Sequence, residues 1–78
     1  MMHIGEKVNV LASFAEGIRP IKFKWSGRLI PVKEVTYTWK SREGKANIHH
    51  FSVTDGTSLY ELSFDAQSLV WRLENLEA

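Results

Sequence analysis

The chain has 78 residues, no cysteine and a net charge of +1, which describes one small domain, residues 1–78, with no disulfide framework and no thiolate metal site. Its 44% hydrophobic and 12% aromatic content is that of a folded globule, and no run approaches the ~20 apolar residues of a membrane helix. The opening Met1–Lys7 lacks the charged-then-apolar order of a secretion signal, so the cytoplasm is the expected compartment and no membrane contact is expected.

In chain order, a first strand is predicted over 6–14, where Val8 and Val10 alternate with Asn9 and Leu11. A short helix through Ala12–Ile18 is the alternative for its end. Glu16–Pro20 is a connector, because the residue before a proline is pushed away from helix. Strands at 20–25 and 28–40 flank Ser26-Gly27, a two-residue hairpin turn. That turn pairs Phe23 with Ile30 and Trp25 with Arg28 on one face, and Lys22 with Pro31 and Lys24 with Leu29 on the other. Within 28–40 the apolar phase changes: Ile30 and Val32 fall on one phase, Val35, Tyr37 and Trp39 on the other. A β-bulge near Lys33-Glu34 would reconcile them and fold the first hairpin over the rest.

A three-residue loop at Arg42-Glu43-Gly44 leads to a strand over 46–54. This loop sets Val35, Tyr37 and Trp39 on the apolar face with Phe51 and Val53. Asp55-Gly56 and a four-residue loop at Asp65–Ser68 then define strands at 57–64 and 69–75. They add Tyr60, Leu62, Phe64, Leu69, Trp71 and Leu73 to the same face. Leu73–Ala78 ends as strand or as a turn of helix. The expected fold is therefore all-β: a six-stranded antiparallel meander, as a strongly curved sheet or a small half-open barrel.

No catalytic motif, phosphate loop or metal spacing is present, so no enzymatic activity, metal or cofactor is expected. His49 and His50 are neighbours in a strand and point to opposite faces, so they cannot chelate one ion. His50 is expected opposite Glu61, but an acid–base couple needs a nucleophile, and none of Ser13, Ser26, Ser41 and Thr57 has an identifiable base. Charge is uneven: residues 1–54 carry +5 and residues 55–78 carry −4. Either the halves neutralise each other across strands or the first half is a basic binding surface. On the second reading, Lys22, Lys24, Arg28, Lys33, Lys40, Arg42 and Lys45 are the candidate contacts for single-stranded nucleic acid. Trp25 and Trp39 are then the rings most open to bases. The alternative is a protein-interaction or self-assembling subunit, such as a homodimer, joined through a sheet edge or the aromatic face.

The order Arg19-Pro20-x-x-Phe23-x-Trp25-x-Gly27-Arg28, then Val32-x-x-Val35-x-x-x-Trp39, Phe51-x-Val53-x-Asp55-Gly56, Tyr60-Glu61-Leu62 and Trp71-x-Leu73 resembles a family of small bacterial all-β domains. The resemblance covers about residues 18–73. It implies an all-β fold with no established activity, and it assigns no functional residues.

Overall fold

A computed structural model of the chain describes residues 1–77. Eight strands follow one another: β1 (Met2–Lys7), β2 (Asn9–Ser13), β3 (Arg19–Trp25), β4 (Arg28–Pro31), β5 (Glu34–Glu43), β6 (Ala46–Thr54), β7 (Leu59–Asp65) and β8 (Val70–Glu77). They form a five-stranded sheet in the order β1-β8-β7-β6-β5 and a three-stranded sheet in the order β2-β3-β4, with every pairing antiparallel. The all-β expectation stands, but the six-stranded meander, as one curved sheet or half-open barrel, is corrected. There are eight strands in two sheets and no closed barrel. Ala78 lies outside the described residues, and of the two endings expected for Leu73–Ala78 the strand forms, up to Glu77.

The two extra strands come from two corners. The expected strand 6–14 breaks at Val8, whose N–H donates to Trp71 O at 3.1 Å. The expected strand 28–40 breaks at Val32-Lys33. Val32 N–H donates to Ile21 O in the small sheet at 2.9 Å, and Lys33 N–H donates to Thr54 O in the large one at 2.8 Å. Consecutive residues thus serve different sheets, which is how a strand turns the corner of a sandwich.

The core lies between the sheets. Phe23 and Ile30 from the small sheet meet Phe51, Val53, Tyr60, Leu62, Phe64, Trp71 and Leu73 from the large one. Phe23 meets Tyr60 edge to face at 5.3 Å, a geometry the ring quadrupoles favour. Val53, Leu62 and Leu73 are fully buried, and each such side chain stabilises the fold by roughly 1.5–3 kcal/mol.

Turn geometry explains which faces were foreseen. Ser26 and Gly27 have φ of 53° and 75°, the double positive φ of a type I′ hairpin, and the expected pairings around them all form. Next to the Asp55 and Asp65 loops the register moves by two residues: Phe51 pairs with Leu62, and Leu62 with Leu73, while a register shift between Glu61 and Leu62 sets Tyr60 opposite Leu76. A shift of two preserves the face, because the side-chain period is two. Leu69, expected inside, instead sits in the last loop at φ 62° and is exposed.

The β5–β6 hairpin moves by an odd number. Its turn is Gly44-Lys45, with Glu43 opposite Ala46 and Gly44 at φ 62°. Glycine belongs at that first position of a type II′ turn. Trp39 therefore pairs with His50 and Tyr37 with Ser52, which puts both rings on the outer face. The register shift between Val35 and Tyr37 leaves Thr36 unpaired and returns Val35 opposite Val53 on the inner face. The bulge thus sits at Thr36, and Lys33-Glu34 is the exit of a corner.

Candidate binding site

Two surfaces bring rings and charges together. The first is a cleft of about 950 Å³ at one end of the sandwich. Val8, Val10, Phe14 and Trp25 wall it on the small-sheet side, and Phe64, Leu69, Val70 and Trp71 on the other. Phe14 meets Phe64 edge to face at 5.7 Å, and Phe64 lies against Trp71 at 4.8 Å. The Val8 corner opens this cleft, because it carries the chain away from β8 toward β3. Lys7 and Lys24 are the only ionisable residues that line it, and no aspartate or glutamate does.

The seven cations singled out from the sequence do not form one patch. Lys22 and Lys24 share the outer face of the small sheet, in cross-strand rows with Leu11, Pro31, Asn9 and Leu29. Lys24 alone of the seven reaches the cleft. Arg28 sits at the hairpin tip opposite Trp25, on the other phase of the strand. Lys33 lies over Gly56, with Nζ 3.2 Å from the position a Cβ would take there. Lys40 and Arg42 project with His49 and Asn47 from the inner side of the β5–β6 hairpin, and Lys45 is in its turn. Lys7, which sequence reasoning passed over, joins the cleft because β1 ends where the corner begins.

The second surface is the outer face of the large sheet. Cross-strand partners arrange it in rows: Glu34, Thr54, Leu59 and Glu77; then Tyr37, Ser52, Glu61, Asn75 and His3; then Trp39, His50, Ser63, Arg72 and Lys7. Tyr37 stacks on Trp39 at 5.6 Å, and Trp39 on His50 at 5.0 Å with the rings 4° from parallel. His50 Nε2 shares a hydrogen bond with Ser41 Oγ at 2.7 Å, and its Nδ1 lies 3.7 Å from Glu61 Oε2. Among the described residues, that Nδ1 is the only buried side-chain polar atom without a hydrogen bond. Asn75 Nδ2 donates to Glu61 Oε1 at 2.9 Å.

A serine that sequence reasoning left without a base thus has one, because the odd register shift carried Ser41 to the face of His50. The trio resembles a nucleophile, base and orienter in kind, yet 3.7 Å is too long for a hydrogen bond from base to orienter. Ser41 is also exposed on an edge strand, where water is not excluded. What the network does achieve is rigidity: it fixes His50 beneath Trp39 and holds the Glu61 carboxylate in place.

Among the described residues, His50–Glu61 is the only contact within 4.0 Å between a basic and an acidic side chain, and no lysine or arginine makes one. The cross-strand neutralisation expected of the two halves is absent as ion pairs. Also among the described residues, no group of three His, Cys, Asp or Glu is placed to hold a metal ion. No helix is long and apolar enough to cross a membrane. No protein family, curated protein or solved structure matches the chain.

Proposed function

We propose that this protein is a non-catalytic binding module that takes single-stranded nucleic acid into the cleft between its sheets. The observation that carries this is the cleft's lining: aromatic rings from both sheets, with Lys7 and Lys24 as its only ionisable residues. A base has a π-face that stacks on Trp25 or Phe14, and stacking is tolerant of sequence. The phosphates on either side would meet Lys24 and Lys7, with Lys22 continuing the basic line along β3. Arg28, Lys33, Lys40, Arg42 and Lys45 stand outside the cleft and act through the longer-range field, which salt screens within about 10 Å.

The test is quenching of tryptophan fluorescence by short single-stranded DNA and RNA at several salt concentrations. Trp25→Ala is expected to weaken binding by about 1–3 kcal/mol. Lys7→Glu with Lys24→Glu is expected to weaken it further and to flatten the salt slope by about 0.7 for each phosphate that is no longer neutralised. Binding that is indifferent to all three changes would remove this reading.

A further inference from the structure

We infer that the outer face of the large sheet, at Tyr37, Trp39, Glu61 and Glu77, is a receptor for an arginine side chain presented by a basic segment of a partner protein. This inference stands apart from the nucleic-acid reading, since it concerns a different face of the molecule.

Three observations converge. The first is charge. The two cross-strand rows that begin at Glu34 and Tyr37 hold three carboxylates, Glu34, Glu61 and Glu77, and no lysine or arginine. No cationic side chain elsewhere in the described residues comes within 4.0 Å of these carboxylates, His50 excepted. Glu34 and Glu77 are exposed and remain open to a cation from outside, and Glu61 keeps acceptor capacity beyond its bond from Asn75.

The second is shape. A groove of about 260 Å³ runs between Tyr37, Trp39, Ser52, Leu59, Glu61, Asn75 and Glu77, with Met1 at its edge. That is below the roughly 300–1,000 Å³ of sites for whole small ligands, and suits one long side chain. Tyr37 is 66% exposed, although it is stacked on Trp39 and the two rings lie 30° from parallel. A planar guanidinium stacks on such rings through the cation–π attraction and bonds carboxylates with its remaining N–H groups.

The third is preorganisation. Trp39 is held from below by His50, His50 by Ser41, and Glu61 by Asn75. A ring and a carboxylate already fixed lose little freedom on binding. The two rows that begin at Glu34 and Tyr37 carry carboxylates and no lysine or arginine, and Arg72 and Lys7 lie in the row beyond them, so phosphate is the disfavoured occupant of this groove.

The experiment follows amide and indole shifts of the isotope-labelled full chain. The probes are an acetylated, amidated peptide with two arginines, its counterpart with two glutamates, and a short single-stranded DNA. The arginine peptide is expected to shift Tyr37, Trp39, Ser52 and Glu61 and the Trp39 indole. Tyr37→Ala and Glu77→Gln, both at exposed positions, are each expected to weaken it about threefold to tenfold. Lys24→Glu is expected to leave it unchanged. Equal shifts from the glutamate peptide or the DNA would overturn the inference. So would arginine-peptide shifts confined to the cleft, or none at all. Loss of DNA binding in Trp25→Ala with arginine binding intact would separate this surface from the cleft.

Discussion

The Asp55 carboxylate accepts from the Thr57 and Ser58 amides at 2.9 and 2.8 Å and from the Tyr60 hydroxyl at 3.1 Å. Those donors, Ser58 first and then Thr57, hold its pKa below the ordinary 3.8. Asp65 is lowered in the same way by the Ser68 and Gln67 amides. A carboxylate whose folded pKa is depressed contributes stability above its unfolded pKa and loses it as pH falls through the folded value. The acid limb of stability should therefore begin near 3.8 and extend below it. Melting temperature followed across acid pH should show a shallower fall in Asp55→Ala with Asp65→Ala than in the parent; superimposable limbs would contradict this. Tyr60 moves the opposite way, since burial and then its bond to Asp55 push the phenol up, so it stays a donor at neutral pH. Ser26 is under a backbone constraint that it shares with Leu69. At φ 53° it is a non-glycine in left-handed backbone, which costs about 1–2 kcal/mol. Ser26→Gly is expected to raise the unfolding free energy by up to about 1 kcal/mol after glycine's own entropy cost, read as a higher urea midpoint; a lower midpoint would show that the turn carries no such strain.

At the scale of elements, legibility followed the parity of the turns. Ser26-Gly27 permits one register, and the β3–β4 hairpin matches it pair by pair. The Asp55 and Asp65 loops hide their length, because each aspartate caps amides two and three residues ahead. Their register moved by two, and the buried set from Phe51 to Leu73 survived. Gly44 opens a two-residue turn where a three-residue loop was equally compatible with the residues, and that odd step turned β5 over. The candidate surfaces were less legible for this reason. Trp39 and Ser41 reach His50 only through the turn at Gly44, and Lys7 reaches the cleft only through the corner at Val8. Thr36 then rights the start of β5, with its hydroxyl donating to Ser52 O at 3.0 Å. Deleting Thr36 is expected to expose Val35 or bury the Tyr37 face, at about 2 kcal/mol or more. An unchanged urea midpoint would mean that the bulge has no structural weight.

For the whole molecule, the two corners make the sheets one cooperative unit. The chain crosses between sheets at Val8 and at Val32-Lys33, and Phe23 and Ile30 have no other core to enter. Leu73→Ala removes a fully buried side chain from the large sheet and is expected to cost about 2–5 kcal/mol. It should lower protection from amide exchange equally in β3 and β7. Loss confined to the large sheet would show that the sheets open separately. The outer face of the small sheet carries Lys22 and Lys24, and the far face of the large sheet carries Glu34, Glu61 and Glu77 beside Arg72 and Lys7.

The pairing of β1 with β8 carries a consequence for how the protein is made. Met2 lies opposite Leu76 and Lys7 opposite Arg72, so the first of these eight strands to be made has its partner in the last. The hairpins from β3 to β7 can zip as they emerge, since each joins neighbours in the chain. β1 must wait for β8, whereas β2 meets its partner in β3, the next strand. Until then the edge of β7 that β8 will cover stays bare. Synthesis, rather than diffusion of the finished chain, would then set the earliest moment at which the fold can close, and the interval before it is when a nascent chain of this kind most needs shielding from its neighbours.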